Sequence, residues 1–198
     1  TRVQGSSTLL LQDCAPNAQH VKLVFPARDN MPKVAMPEVE VHWYDGGMMP
    51  DRPEGFPQGK ELMGEGGGLC IFHGTKDTLI CGCYGVNPWL LSGRKPNVPQ
   101  TLRRVKDAMK GGHEQDWIRA CKESAGSRVQ TKSNFLEAGP FNEMVVMGVL
   151  ATRLSGLQGL HRELMWDGEN MKFTNISPSD KIKLVTVDEY KVIDGDPR

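Results

Sequence analysis

The chain has 198 residues, of which 38% are hydrophobic, and its 24 basic residues balance 24 acidic ones. This length allows a sizeable core and favours a single domain over residues 1–198. The zero formal charge argues against nucleic acid or an anionic lipid surface as a partner. No apolar run is long enough for a membrane span, and the first residues lack a signal-peptide core. We therefore expect a soluble protein, cytoplasmic or periplasmic.

The first 82 residues have the period of two that is typical of strands with one buried face. Val21, Leu23 and Phe25 alternate with polar neighbours, and residues 39–44 alternate more regularly. A polar side on each strand favours antiparallel pairing. The five-residue link 73–77, which contains a glycine, predicts a hairpin. Strands are predicted at 3–11, 21–25, 39–44, 69–72 and 78–82.

Two Pro- and Gly-rich loops, 45–68 and 85–99, interrupt the strands, and loops of this length in a compact domain are usually functional or disordered. Beyond Pro99 the period becomes helical. We predict helices at 102–109, 113–124 and 140–156, the last with Pro140 at its first position and a glycine at its end. Because this third helix is apolar nearly all round, it must be covered on more than one side.

Short strands are predicted to follow at 164–167 and 171–174, with a further edge strand at 182–187. Strands that come first and helices that come later indicate an α+β fold. We predict a large open, mainly antiparallel sheet with helices packed on one face.

Several tempting motifs lack their structural context. The run Gly64–Leu69 precedes a predicted strand, whereas a dinucleotide loop follows a strand and opens a helix. The segment Gly55–Lys60 is one residue too short for a P-loop, and Glu61 replaces its Ser or Thr. The five cysteines are irregularly spaced in a chain too large to need disulfides, so we expect most to be buried thiols. No metal site is predicted, because the histidines and cysteines lack ligand spacing.

The second loop and the start of the helix predicted at 113–124 contain the candidate substrate-facing residues. Aromatic rings and forked donors suit hydroxyl-rich ligands, whereas the alternative for these positions is an ordinary surface loop or, for the histidine, a capping or packing role. The candidates are Tyr84, Asn87, Trp89, Arg94 and His113.

Residues 134–175 carry the most informative pattern: Asn134-Phe135, Gly139-Pro140, Glu143, Gly148, Ala151, Arg153, Leu164-Met165-Trp166-Asp167, Asn170 and Thr174-Asn175. In this order they resemble the closing stretch of the glucose-fructose oxidoreductase and inositol dehydrogenase (Gfo/Idh/MocA) family. The likeness extends over nearly the whole chain, through Phe25-Pro26-Ala27-Arg28, residues 39–47, the hairpin at 68–82 and His113 to Lys122.

The resemblance implies the sheet-rich C-terminal domain of an NAD(P)-dependent oxidoreductase that acts on a sugar or polyol. In the family, a preceding Rossmann domain holds the nicotinamide, and the motifs with the catalytic groups lie upstream of the matching region. It follows that this chain should contain no catalytic or cofactor-binding residue and should be inactive by itself. Its expected partners are the missing Rossmann domain, a sugar-like molecule and further copies of the chain, bound through the sheet.

Two alternatives remain open. Some members of the family use the nicotinamide transiently to cleave glycosidic bonds, so the parent protein is alternatively an NAD-dependent glycoside hydrolase. A stand-alone sheet domain that serves as a binding or assembly module is the alternative outside the family.

Overall fold

The computed structural model describes residues 1–8, 10, 14–29, 37–62, 67–95, 99, 105–107, 110–154, 163–177, 192–193 and 196–197. The chain divides into two compact units, one made of Thr1–Met49 and Lys106–Arg198 and the other of Pro50–Val105. A compact unit is not necessarily a separate domain, so the expectation of one domain over 1–198 stays a prediction.

The described elements follow the chain as ten strands, a 3-10 turn and two helices. The first unit contains strands β1–β3 and β7–β10 and both α-helices, and the second contains β4–β6. Their bounds are β1 Arg2–Ser7, β2 Gln19–Phe25, β3 Val39–Tyr44, β4 Leu69–His73, β5 Thr78–Gly82, the 3-10 turn Cys83–Gly85, β6 Trp89–Leu90, α1 Gly112–Lys122, α2 Phe135–Leu154, β7 Leu164–Asp167, β8 Lys172–Phe173, β9 Val192–Ile193 and β10 Asp196–Pro197.

An open sheet of five strands, in the order β3-β2-β1-β7-β8, is the main layer of the first unit, and every pairing in it is antiparallel. The register places Val3 opposite Leu23 and Leu23 opposite Val41. Alternate residues of the three strands therefore face the same side, as the period of two requires. The α+β fold and the antiparallel sheet predicted from the sequence are confirmed.

Helix α2 covers one face of this sheet, and two glycines set how closely it lies. A Cβ atom on Gly5 of β1 would lie 2.5 Å from the Thr152 amide nitrogen, and one on Gly148 would lie 3.2 Å from a methyl carbon of Val21. Small residues thus bring the helix backbone close to β1 and β2. The buried core between the helix and the sheet consists of Val3, Val21, Leu23, Met147, Ala151 and Leu164.

Helix α2 begins at Phe135, so the prediction of a start at Pro140 is wrong. The Asn134 side-chain oxygen accepts hydrogen bonds from the amides of Leu136 and Glu137, at 2.9 and 3.3 Å. Asparagine is a preferred N-cap residue because it satisfies amides that have no partner within the helix. Pro140 therefore lies inside the helix, where it supplies no amide to the ladder.

Helix α1 matches the helix predicted at 113–124 to within two residues at either end. The helix predicted at 102–109 is wrong at 105–107, which are described and are not helical. Asp107 has a left-handed backbone with φ of 51°, and its carbonyl oxygen accepts the amides of Lys110 and Gly112. A turn replaces the helix there. The other positions of that prediction, apart from 105–107, lie outside the described residues.

In the second unit, β4, β5 and β6 form a three-stranded antiparallel sheet. The predicted hairpin is confirmed: β4 and β5 are paired from Leu69–Gly82 to His73–Thr78. In the first unit, the short strands predicted at 164–167 and 171–174 correspond to β7 and β8, which are also paired. The edge strand predicted at 182–187 lies outside the described residues.

All five cysteines are described, and the expectation that most are buried is wrong. Cys81 is buried and Cys83 is half-buried, whereas Cys14, Cys70 and Cys121 are exposed. All are free thiols. Of the helices in the described part of the chain, none is both long and apolar enough to cross a membrane.

Candidate functional site

The sheet face opposite α2 carries a row of stacked rings. His20 pairs with Tyr44 across β2 and β3, and their ring centroids lie 4.5 Å apart with planes inclined by 15°. His42, diagonal to His20, stacks on it at 5.3 Å. The Nε2 atom of His20 lies 3.0 Å from Nδ1 of His42, so the two imidazoles share a hydrogen bond. Directly opposed side chains in an antiparallel pair are close enough for such stacking.

Charged groups continue the row. Glu40 lies 2.7 Å from the Lys22 ammonium group through Oε1 and 3.3 Å from Nε2 of His42 through Oε2. The hydrogen bond from Lys22, followed by that from His42, holds the pKa of Glu40 below its ordinary value. Arg2 on β1 bridges Glu38 at 2.9 Å and Glu163 at 3.6 Å. This face of the sheet therefore carries both stacked rings and ion pairs.

We call His20, Lys22, Glu40, His42 and Tyr44 the polar row. Its members are exposed or half-buried, so water or a ligand reaches them. Two imidazoles, a phenol, an ammonium group and a carboxylate can hydrogen-bond hydroxyl groups and can relay a proton. Nothing in this set of groups can deliver or accept a hydride.

An apolar cleft lies at one end of the other face of the sheet. It has a volume of about 370 Å³ and is lined by Phe25, Pro26, Arg28, Val39 and Val41. This volume is at the lower end of the range of small-molecule sites. The cleft holds one cation, Arg28, beside four apolar side chains, a combination that suits a partner with an apolar surface and a negative group.

The outward side of α2 is apolar and solvent-exposed. Phe135 and Leu136 in its first turn are 93% and 85% exposed, and further apolar side chains continue along the helix. A helix that is apolar on nearly all sides must be covered by other protein on more than one side. We call the exposed set the outer stripe: Phe135, Leu136, Phe141, Val145, Val146 and Val149.

Tyr84 and Asn87, two of the predicted substrate-facing residues, have left-handed backbones. Tyr84 has φ of 63° and is 74% exposed, and Asn87 has φ of 50°. Such conformations are uncommon outside glycine, and the tight connection from β5 to β6 requires them here. The Tyr84 ring is free to meet a ligand.

Trp89, the third candidate, is half-buried and has neighbours on its ring. The Lys60 ammonium group lies 4.2 Å from the centre of the Trp89 ring, and the Phe56 ring lies 5.9 Å away at a tilt of 49°. The Arg52 guanidinium group lies over Phe56 at 4.9 Å. These contacts give Trp89 a packing role, because a sugar that stacked on the same ring face would have to displace Lys60.

Arg94 lies near the hairpin turn, where its Nε atom is 3.9 Å from Oδ2 of Asp77. The Ser92 hydroxyl donates a hydrogen bond to Asp77, and this bond is the main cause of the lowered pKa of the Asp77 carboxyl group. The turn therefore keeps a carboxylate beside Arg94 and partly neutralises it.

His113, the last candidate, belongs to the first unit, whereas the other four belong to the second. It lies in the first turn of α1, is exposed, and has Nδ1 at 3.2 Å from the Ser133 hydroxyl. Trp89 and Arg94 have separate sets of neighbours, so these contacts do not join the candidates into one cluster. A role of the five residues in substrate contact stays a prediction.

Sequence reasoning missed the polar row. Its signal was visible, because His20 and Lys22 on one strand and Glu40, His42 and Tyr44 on another occupy the polar side of the alternation. The register of β2 and β3 was not predicted from the sequence, and it is this register that brings His20 opposite Tyr44 and Lys22 opposite His42. A shift of one residue would have moved every one of these side chains to the other face.

Within the described residues, no group of three His, Cys, Asp or Glu side chains is placed to hold a metal ion. The expectations of no metal and no bound cofactor in this chain stay predictions. Comparison with protein-family models finds no match for the chain, and comparison with curated proteins finds none either.

Proposed function

We propose that this chain is the C-terminal, substrate-side and oligomerisation domain of an NAD(P)-dependent oxidoreductase of the Gfo/Idh/MocA type, which acts on a sugar or polyol. The nicotinamide belongs to a Rossmann domain that the chain lacks, and the chain alone is inactive. The proposal rests on the sequence resemblance, and one structural observation carries it further.

That observation is the outer stripe. Residues Val145, Val146 and Val149 are each close to half exposed, although an α-helix of this composition is stable in water only when such side chains are covered. An interface with a second protein domain would bury them. An interdomain contact of this kind agrees with a domain that works beside a cofactor-binding partner.

The sheet supports the proposal in a second way. Helix α2 packs against β1 and β2 on one face, and the polar row on the other face offers flat rings, donors and acceptors to hydroxyl-rich ligands or to a second copy of the sheet.

Two measurements test the proposal. Titration calorimetry of the isolated chain with NAD and with NADP should give no binding, because no strand, glycine turn and helix are arranged in the described residues to hold a pyrophosphate. Tight stoichiometric binding of either nucleotide would overturn the proposal.

The reading frame that encodes the chain should also contain an upstream G-x-G-x-x-G segment. The full-length protein encoded by that frame should reduce NAD or NADP with sugars or polyols. A frame without such a segment contradicts the proposal.

The polar row favours a second candidate, an assembly module whose ligand or second copy binds this face. The two functions differ in one variant, His42→Ala. In an assembly module it weakens self-association of the chain alone, whereas in the oxidoreductase it changes the KM for the sugar or polyol in the whole enzyme. Asp51→Ala, at an exposed position in the other unit, is the matched control.

A further inference from the structure

Three of the five cysteines lie on one hairpin of the second unit. Cys70 on β4 is paired with Cys81 on β5 in the antiparallel register, so both side chains point to the same side of the sheet. Cys83 is two residues further along the same strand direction and shares that side. Cys70 is exposed, Cys81 is buried and Cys83 is half-buried.

The hydrogen-bond pattern identifies the kind of pair that Cys70 and Cys81 form. The Gly74 amide donates to the Asp77 carbonyl at 3.0 Å, and the Cys83 amide donates to the Gly68 carbonyl at 3.1 Å. Hydrogen-bonded and non-hydrogen-bonded pairs alternate along an antiparallel ladder. Every second pair counted from Gly74–Asp77, or from Gly68–Cys83, is hydrogen-bonded, and both counts make Cys70 and Cys81 a hydrogen-bonded pair.

The Cα atoms of such a pair lie about 5.5 Å apart. A disulfide requires a Cα separation of roughly 4.4 to 6.8 Å, with the most frequent values near 5.5 to 6 Å. The two thiols are neighbours on the same side of the hairpin, and Cys81 contributes to the raised pKa of Cys70. Rotation of the side chains is therefore sufficient to join the sulfur atoms, and the strands need not move.

We propose that Cys70 and Cys81 are a reversible dithiol–disulfide couple, which exchanges with small-molecule disulfides of the glutathione class. The exposed Cys70 reacts first and the buried Cys81 resolves the product. Oxidation covalently joins β4 to β5 and fixes the hairpin, and a thiol reductant reverses it.

The exchange takes place in two steps. Cys70 loses its proton to water, and its thiolate attacks one sulfur of oxidised glutathione. The glutathione S–S bond breaks, a mixed disulfide forms on Cys70, and the first glutathione thiolate leaves and takes up a proton. Cys81 then loses its proton and attacks the Cys70 sulfur, which releases the second glutathione thiolate. Two protein thiols are oxidised to one disulfide, and one glutathione disulfide is reduced to two thiols.

The environment also sets the pH at which the couple reacts. Partial burial of the sulfur atom, together with Cys81 and then Cys83, raises the pKa of the Cys70 thiol above its ordinary value of 9.0. The thiolate is the attacking species, so the first step is slow at neutral pH. Below that pKa, its rate rises roughly tenfold for each unit by which the pH is raised.

Peptide mapping tests the proposal, because trypsin cleaves after Lys76 and so separates Cys70 from Cys81 and Cys83. The whole chain is incubated with oxidised glutathione, quenched with acid, alkylated and digested without reductant. We expect peptides 61–76 and 77–94 to be joined and to separate on addition of dithiothreitol. Recovery of both peptides unjoined, with their cysteines alkylated or only glutathionylated, would overturn the proposal.

Three variants identify the partner of Cys70. Cys81→Ser should leave a glutathione adduct on Cys70 and no joined peptide, whereas Cys83→Ser should keep the joined peptide. Cys121→Ser, on an exposed position of α1, is the control and should react like the parent. A joined peptide that survives Cys81→Ser and disappears in Cys83→Ser would assign the bond to Cys83 and contradict the proposal.

Discussion

Asp45 follows β3, where three donors converge on one carboxylate. The Gln19 amide, the Gln19 side-chain nitrogen and the Trp43 indole nitrogen each lie 2.9 Å from one of its oxygens. The side-chain oxygen of Gln19 in turn accepts the hydroxyl group of Thr152 at 3.1 Å. Asp45 thus orients Gln19, and Gln19 connects β2 to α2.

Asp45→Asn should lower the free energy of unfolding, because an amide replaces a charged acceptor and directs a donor at other donors. The loss should be about 1 kcal/mol near neutral pH for this partly exposed group. Burial raises the pKa of Asp45, but the hydrogen bonds from Trp43 and Gln19 outweigh it and leave the pKa below the ordinary value of 3.8. A depressed folded-state pKa stabilises the fold above the unfolded-state pKa, and this contribution disappears as the pH falls through the folded-state value.

Urea unfolding of the parent and the variant at several pH values checks this prediction. Their difference should be constant from neutral pH down to about pH 4 and should shrink below it. Asp51→Asn, at an exposed position, should show little difference at any pH. A difference for Asp45→Asn that grows as the pH falls would contradict the explanation.

At the scale of elements, the sheet–helix contact depends on Gly5. A Cβ atom there would meet backbone atoms of Thr152 and Ala151 at 2.5 and 2.8 Å, and backbone cannot move aside as a side chain can. At Gly148 the nearest atom is a Val21 methyl carbon at 3.2 Å, which a small shift relieves.

Gly5→Ala should therefore lower the free energy of unfolding by about 3 kcal/mol through overpacking. Gly148→Ala should change it by less than about 1 kcal/mol, because the better helix propensity of alanine offsets the crowding of Val21. Urea unfolding followed by circular dichroism measures both. Equal effects of the two substitutions would show that the helix adjusts its position over the sheet and would contradict the prediction.

The elements also show how far the sequence alone reaches. The strands were predictable because their polar and apolar residues alternate, and α1 because its charges suit the helix dipole. The predicted start of α2 was wrong because a proline in the sequence is a stronger indicator of a helix start than Asn134. The capping role of Asn134 depends on local geometry. The polar row needed the register of β2 and β3, and the pairing of Cys70 with Cys81 needed that of β4 and β5. Register depends on turn geometry and packing, which a single sequence does not specify.

At the scale of the whole molecule, the outer stripe has the largest consequence. Each of its apolar side chains increases the free energy of the isolated chain in water in proportion to its exposed area. Association of two copies through α2 would bury part of this area even in the absence of any other domain. The stripe therefore predicts that the isolated chain self-associates as its concentration rises.

Light scattering should show a mass that increases with concentration for the parent chain. Val145 and Val149 lie one helical turn apart and are 47% and 46% exposed, so Val145→Lys with Val149→Lys places two charges in the stripe. Lysine is also the better helix former, so α2 should remain folded. This double variant should stay monomeric at concentrations where the parent associates.

The matched control adds the same charge elsewhere, through Gln58→Lys with Gln115→Lys, at two exposed polar positions. It should associate like the parent, because charge alone does not cover or remove the stripe. If the control is also monomeric, general repulsion explains the result. If the parent itself is monomeric at high concentration, the outer stripe is stable in water, and the structural support for a covering domain is lost.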